Sequence, residues 1–304
     1  MADTPAEPGA WRTYWLYRAG FAIGRGLPLP VASALADGVA RVLAGRDSRQ
    51  RDLVAGHLAR VCGHELTAAE RDDLVRAAYT SYAHYWLDST RATGASRPEL
   101  EARMSCTGFG YIEAAAAAGR GVILALPHLG SWDFGGAWIA TTGYPLTVVA
   151  EMVRPARLFE WFAAMRRAMD IDVVPLGPGA AAGVGRALRD GRVVALVSDR
   201  DIGGSGVEVE FFGEVTRLPA GPATMAIRTG AALLPSAVYV HPRGRFHAAI
   251  GPPLAVERSG RGLRDDVTTL TQALAREMED LIRAAPEQWH MFQPNWPSDP
   301  GYGA

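Results

Sequence analysis

The spacing of hydrophobic positions changes partway along the chain. Up to about residue 93 they recur three and four apart, as in Leu74, Ala78, Tyr82 and Trp86, which predicts one stripe of a helix. Thr67-Ala68-Ala69-Glu70 has the capping-box pattern that would start that helix. Residues 31–93 are therefore expected to be helical. From about residue 107 short apolar blocks replace the stripes. The run 121–126 stops at Pro127, and 146–150, 171–175 and 192–197 follow, each the length of a buried strand. Helical stretches at 156–169 and 179–190 separate them. Alternation of this kind predicts βαβ units and an α/β fold: a mostly parallel central sheet flanked by helices, with a helical N-terminal part. Further strands are expected at 233–240 and 246–250, then an amphipathic helix at 263–284. With no internal repeat and no convincing linker, residues 31–295 are expected to form one domain, and 296–304 a tail.

The first thirty residues have a different texture. Residues 1–10 are rich in Pro and Ala and are expected to be loose. Trp11-Arg12-Thr13-Tyr14-Trp15-Leu16-Tyr17-Arg18, then Phe21, Ile23 and Arg25, interleave aromatic rings with guanidiniums. Such a helix suits a membrane interface, with rings among headgroups and Arg on phosphates. An apolar stripe packed on the protein's own core would look the same, so both placements stay open for residues 1–30. The chain has no uninterrupted apolar run of about 18 residues and no signal-peptide pattern. Its two cysteines, Cys62 and Cys106, match neither a zinc nor a redox spacing. A peripheral protein at the cytoplasmic face of the cell membrane is expected.

Composition removes several kinds of chemistry. Every basic residue is arginine, so a Schiff-base lysine and a P-loop lysine are both excluded. A formal net charge of −1 gives no reason to expect nucleic acid. No G-x-S-x-G nucleophile elbow occurs, and Gly177-Pro178-Gly179 is not a dinucleotide fingerprint. His128 remains, just past the 121–126 strand, where ligands of parallel sheets collect. Asp133 follows five residues later, in a turn or incipient helix. A carboxylate bonded to one imidazole nitrogen leaves the other free to take a proton from a hydroxyl. Gly130 and the following helix N-terminus could offer N–H groups to an oxyanion. Asp199 and Asp201 flank Arg200 after the 192–197 strand, on the same sheet edge. They suit sugar hydroxyls, or a hold on Arg200 for phosphate, or structural ion pairs; nothing supplies a metal-ligand set. Period-two alternation places Glu208 and Glu210 on one strand face, either near the site or in solvent. Arg154, Arg166 and Arg167 are candidates for phosphate or carboxylate groups, and only one of Arg166 and Arg167 can point inward.

Leu126-Pro127-His128-Leu129-Gly130-Ser131-Trp132-Asp133 closely resembles the HX4D/E motif of the bacterial lipid A late acyltransferases. The resemblance extends through Arg154-Pro155, Ser198-Asp199-Arg200-Asp201, Phe211-Phe212-Gly213, Leu218-Pro219-Ala220-Gly221-Pro222, Leu234-Pro235 and Ala285-Pro286-Glu287-Gln288-Trp289. Within that family, the strings 151–159 and 205–213 look most like the actinobacterial phosphatidylinositol mannoside acyltransferases. The resemblance implies a membrane-associated O-acyltransferase that needs no cofactor. Acyl-CoA, usually palmitoyl-CoA, would be the co-substrate and a mannose hydroxyl of a phosphatidylinositol mannoside the acceptor. It implies His128 as general base with Asp133 orienting it, and favours Glu208 as a group sharing the imidazolium charge. Another glycolipid, a glycerophosphate acceptor or a non-catalytic lipid-binding role are the alternatives. The chain departs from many lipid A enzymes in having Asp where they have Glu, and an aromatic–Arg segment where they have a transmembrane helix.

Overall fold

The computed structural model describes residues 10–46 and 48–303. Of the Pro- and Ala-rich opening expected to be loose, residues 1–9 lie outside that description. Five helices come first: α1 (Ala10–Gly26), α2 (Leu29–Ala44), α3 (Arg49–Cys62), α4 (Ala68–Ala92) and α5 (Arg97–Arg103). The capping box at α4 is present. The Glu70 N–H donates to Thr67 Oγ1, and the Glu70 carboxylate accepts from the Thr67 N–H at 2.9 Å. Small residues let α2, α3 and α4 approach closely, with Ala40, Ala44, Ala55, Val75 and Ala78 buried between them.

The α/β part runs β1 (Met104–Thr107), α6 (Gly110–Ala117), β2 (Val122–Leu126), α7 (Trp132–Thr141), β3 (Leu146–Ala150), α8 (Ala156–Arg167), β4 (Ile171–Pro175), α9 (Ala180–Arg189) and β5 (Val193–Val197). It continues through β6 (Val207–Phe211), β7 (Glu214–Leu218), α10 (Gly221–Thr229), β8 (Ala232–His241), β9 (Arg245–Ile250) and α11 (Leu263–Arg283). Seven strands make one sheet in the order β1-β9-β8-β2-β5-β3-β4, parallel except between β8 and β9. The expected mostly parallel sheet is therefore observed. β2 lies at its centre and is buried throughout, as a continuous Val-Ile-Leu-Ala-Leu run requires. Alternate side chains feed two cores. Leu124, Leu126, Leu146 and Ile171 meet α6 and α7 on one face. Ile123, Val194, Leu196 and Leu233 meet α9, α10 and α11 on the other.

Two elements depart from the pattern. β1 is only four residues long, too short to announce itself, and is held at the sheet edge by β9. The alternating segment 207–211 is a strand, but it leaves the main sheet. It pairs with β7 as a hairpin turned at Phe212 and Gly213, both at positive φ, as a two-residue type I′ loop demands. Gln272 of α11 clasps the Glu210 backbone from both sides, so the hairpin rides on that helix.

Residues beyond α11 fold back across the carboxyl edge of the sheet. Gly130 N–H donates to Gln288 O at 2.9 Å, and His290 N–H to His128 O at 2.7 Å. Further on, Asp299 Oδ2 accepts from the N–H groups of Asn295 and Trp296 and lies 2.8 Å from His57 Nε2. Arg60 donates to the other oxygen at 2.9 Å. Burial would raise the Asp299 carboxyl, but His57 and the two amides hold it below the usual carboxylate range. Trp296 is wholly buried there.

The crossing depends on Gly130. Its φ is +60°, and a Cβ would stand 1.9 Å from Val238 O. Gly130→Ala should cost about 1–3 kcal/mol for the left-handed backbone alone, before the overlap is relieved. A urea titration measures it; a midpoint equal to wild type would contradict this account.

Candidate active site

Strand register explains which side chains meet. β2 and β5 are parallel neighbours, with Leu126 opposite Val197, and Ser198 N–H donates to Leu126 O at 2.8 Å. His128 and Asp199 each stand two residues beyond those paired ends. His128 Nδ1 lies 2.7 Å from Asp199 Oδ1, and the His128 backbone N–H donates to Oδ2 at 2.9 Å. The Trp289 indole N–H donates to the same Oδ2 at 2.7 Å, and Asn295 Nδ2 donates to the Asp199 carbonyl at 3.0 Å. Asp199 is fully buried, which by itself would raise its pKa. The His128 ring, the Trp289 indole and the His128 backbone N–H reverse that and hold the carboxyl below the usual carboxylate range. A carboxylate only accepts, so the neutral imidazole carries its proton on Nδ1 and turns the Nε2 lone pair to the cavity.

This corrects the expectation that Asp133 orients the imidazole. Asp133 lies in the first turn of α7, and its carboxylate is engaged elsewhere. Oδ1 accepts from Arg166 Nη2 at 2.9 Å, while Oδ2 accepts from Tyr85 OH at 2.9 Å and Ser89 Oγ at 3.1 Å. Tyr85 and Ser89 are one turn apart on α4, so both reach one oxygen. Burial, then the Asp133 charge, lifts the Tyr85 hydroxyl well above the ordinary phenol value. The same carboxylate raises the Arg166 guanidinium pKa against the effect of its burial. Asp133 thus holds Arg166 in the cavity wall, while Arg167 faces solvent.

Other candidates fall in different places. Glu208 is exposed on the β6–β7 hairpin and pairs with Arg217 at 3.2 Å; Glu210 is exposed on the same face. Neither lines the cavity, because the hairpin carries both away from the sheet edge. Arg154 is exposed before a cis Pro155. Arg200 lines the cavity mouth and donates to Glu151 at 3.2 Å. Asp201 accepts from Gly203 N–H at 3.2 Å and Gly206 N–H at 2.6 Å, so it shapes the loop beside the mouth. Gly130 and Ser131 N–H groups are spent on Gln288 O and Val238 O. They are not the oxyanion donors expected there.

A cavity of about 740 Å³ opens beside His128, within the range of small-ligand sites. Its polar end holds His128, Asp133, Arg166 and Arg200, and aromatic rings of α4, α7 and the C-terminal segment wall it. Trp132 stacks on Tyr85 at 4.0 Å and meets the His128 ring edge-on at 5.4 Å. Away from that end the lining is apolar: Leu124, Leu126, Ile139, Leu146, Val148 and Ile171. Sequence reasoning missed Tyr85, Ser89, Trp289 and Asn295. The spacing of Tyr85 and Ser89 and the place of Trp289 in the 285–289 string carried the only signals.

His290 is buried in the same wall, with Nε2 2.9 Å from Ser81 Oγ and Nδ1 unpartnered. Burial, with nearby His128, depresses its pKa from 6.5 to about 3, against a small opposing effect of Asp199. The folded ring is neutral, whereas the unfolded one takes up a proton near 6.5. Its contribution to stability is therefore full above pH 6.5 and is lost as pH falls toward 3. His290→Gln should flatten the fall of Tm between pH 7 and 4.5. Parallel Tm–pH curves for the two proteins would exclude this.

Residues 5–298 match the model of the bacterial lipid A biosynthesis acyltransferases. A phosphatidylinositol mannoside acyltransferase of Mycolicibacterium smegmatis is 37% identical over 286 residues, covering 93% of this chain and 91% of the relative. One from Mycobacterium tuberculosis is 38% identical over 292 residues, covering 94% and 89%. A lipid A biosynthesis acyltransferase of Haemophilus influenzae is 25% identical over 232 residues, covering 75% and 70%. With a histidine–aspartate pair at the mouth of an apolar cavity and a match over nearly its whole length, the chain belongs to the bacterial lipid A biosynthesis acyltransferase family and is an acyltransferase.

Proposed function

We propose that this enzyme transfers a fatty acyl group, palmitoyl foremost, from acyl-CoA to a mannose hydroxyl of a phosphatidylinositol mannoside. The observation that carries this reading is the His128–Asp199 pair placed where a largely apolar cavity meets a polar mouth. The mycobacterial relatives' names supply the acceptor. In this mechanism the acceptor hydroxyl lies against His128 Nε2, which removes its proton as the oxygen attacks the thioester carbonyl. Asp199 fixes the tautomer and balances the imidazolium. The C–S bond breaks as the new ester forms, and the CoA thiolate leaves with the proton from His128. Arg166, held by Asp133, supplies positive charge beside the carbonyl as it becomes an oxyanion. The acyl chain lies along the apolar wall, and Arg200 at the mouth meets phosphate. No acyl-enzyme forms.

Incubation of the protein with radiolabelled palmitoyl-CoA and a panel of glycolipid and glycerophosphate acceptors, with product mapping, tests this. His128→Ala and Asp199→Asn should each lower kcat/KM about 10²- to 10⁴-fold while acyl-CoA still binds. Unchanged transfer by either variant, label on protein without acceptor, or product on another acceptor alone would overturn the corresponding step.

We also propose peripheral attachment to the cytoplasmic face of the membrane through α1 and α2. No helix among the described residues is long and apolar enough to cross a membrane. Phe21 of α1 turns inward against Trp86, Trp161 and Phe162, whereas Trp11, Trp15 and Leu16 are 58–74% exposed. On α2 the exposed residues Val31, Leu35, Val39 and Val42 follow one helical stripe. Exposed Arg12, Arg18 and Arg25 accompany them. Trp86 and Phe162 also line the cavity, so the apolar face stands beside the chamber a lipid would enter. Replacing Trp11, Trp15 and Leu16 with Ser should weaken flotation with anionic vesicles at least about tenfold, since each buried ring or chain is worth ~1.5–3 kcal/mol. Equal flotation would remove α1 from the interface.

A further inference from the structure

Helix α7 contains two adjacent interior glycines, Gly135 and Gly136, although glycine is the least favourable interior residue apart from proline. Packing accounts for the first. A Cβ on Gly135 would come 2.5 Å from Val238 Cγ2, so the helix can lie this close to the sheet only without one. Packing does not account for the second. A Cβ on Gly136 would meet only Ile171 Cδ1 and Leu146 Cδ2, both at 3.6 Å, which is ordinary contact. A methyl group fits there, and anything larger must enter the space beyond.

That space is the cavity. Gly136 lies on the same helix face as Asp133 and one turn further in, about 4.5 Å along the axis, with Ile139 about 9 Å in. It lines the chamber together with Leu124, Ile139, Leu146 and Ile171. Leu146 and Ile171 are buried, yet Gly136 retains accessible surface. No charged side chain lines this inner section, so hydrocarbon is the chemistry it accepts.

We propose that Gly136 sets acyl-chain selection: the missing side chain keeps the inner section open, so that a long chain can pass between α7 and β3–β4. This rests on the reading that the donor's acyl group occupies the cavity. A β-branched side chain at this position, with two atoms directed past the Cβ, closes the section one turn below the reacting carbonyl.

Acyl-CoA donors from four to eighteen carbons, assayed with wild type and three variants, test it. Gly136→Val should lower kcat/KM for palmitoyl-CoA by about 100-fold or more, yet stay within about threefold of wild type on butyryl-CoA. Gly136→Ala should keep the wild-type chain profile and raise Tm by a few degrees, because helix propensity improves while the space stays open. Gly136→Cys, in a Cys62→Ser/Cys106→Ser background, gives a readout that needs binding alone. Palmitoyl-CoA should protect the new thiol from methyl methanethiosulfonate, and butyryl-CoA should not. A Gly136→Val chain profile identical to wild type, or equal labelling with either donor, would overturn the proposal. Wild type transferring no acyl group of any length would overturn the proposed function instead, and thiol protection would still decide whether the chain lies against Gly136.

Discussion

A fully buried carboxylate, Asp199, organises the carboxyl edge of the central sheet. An ionised group without water is tolerated only where donors replace the lost hydration. Here they come from separate parts of the chain: the ring and backbone of His128 after β2, and the indole of Trp289 beyond α11. Meeting the needs of one charge therefore fixes the exit of the central strand, the tautomer of the imidazole and the path of the C-terminal segment together. The backbone contacts between 288–290 and 128–130 reinforce that arrangement.

The strands and the position of His128 were legible because they rest on local pattern: an apolar run of strand length, then a histidine at its carboxyl end. Its partner was not. Asp133 is near in sequence, whereas Asp199 is near in space only because β5 lies beside β2, and spatial strand order is not written in periodicity. The alternation around Glu208 did predict a strand, but nothing local reveals that it joins a hairpin outside the sheet. His57 shows the same limit. Its carboxylate partner, Asp299, is 242 residues away. Arg166 and Arg167 were separable in principle as adjacent helical positions, and packing against Asp133 decides which one turns inward.

Helix α7 joins these themes. Its first turn anchors Arg166 through Asp133, its middle approaches β8 where Gly135 packs on Val238, and the adjacent face borders the cavity. In the proposed function, chemistry falls to the sheet edge, where hydrogen bonds fix geometry, and chain accommodation to the helix–sheet seam, where apolar contacts leave room. The aromatic wall from α4 links both to the N-terminal helices.

The C-terminal crossing also has a bearing on when the enzyme becomes competent. Residues 289–299 leave the ribosome long after β2 and β5, yet they provide the indole and amide that seat Asp199, and their own anchor is His57 and Arg60 near the other end. Contacts across so much chain carry a large loop-closure cost. A nascent or partly folded polypeptide has the histidine and the aspartate but not the enclosure that keeps the carboxylate fixed and dry. The geometry of the His128–Asp199 pair is therefore complete only when the C-terminal crossing is in place.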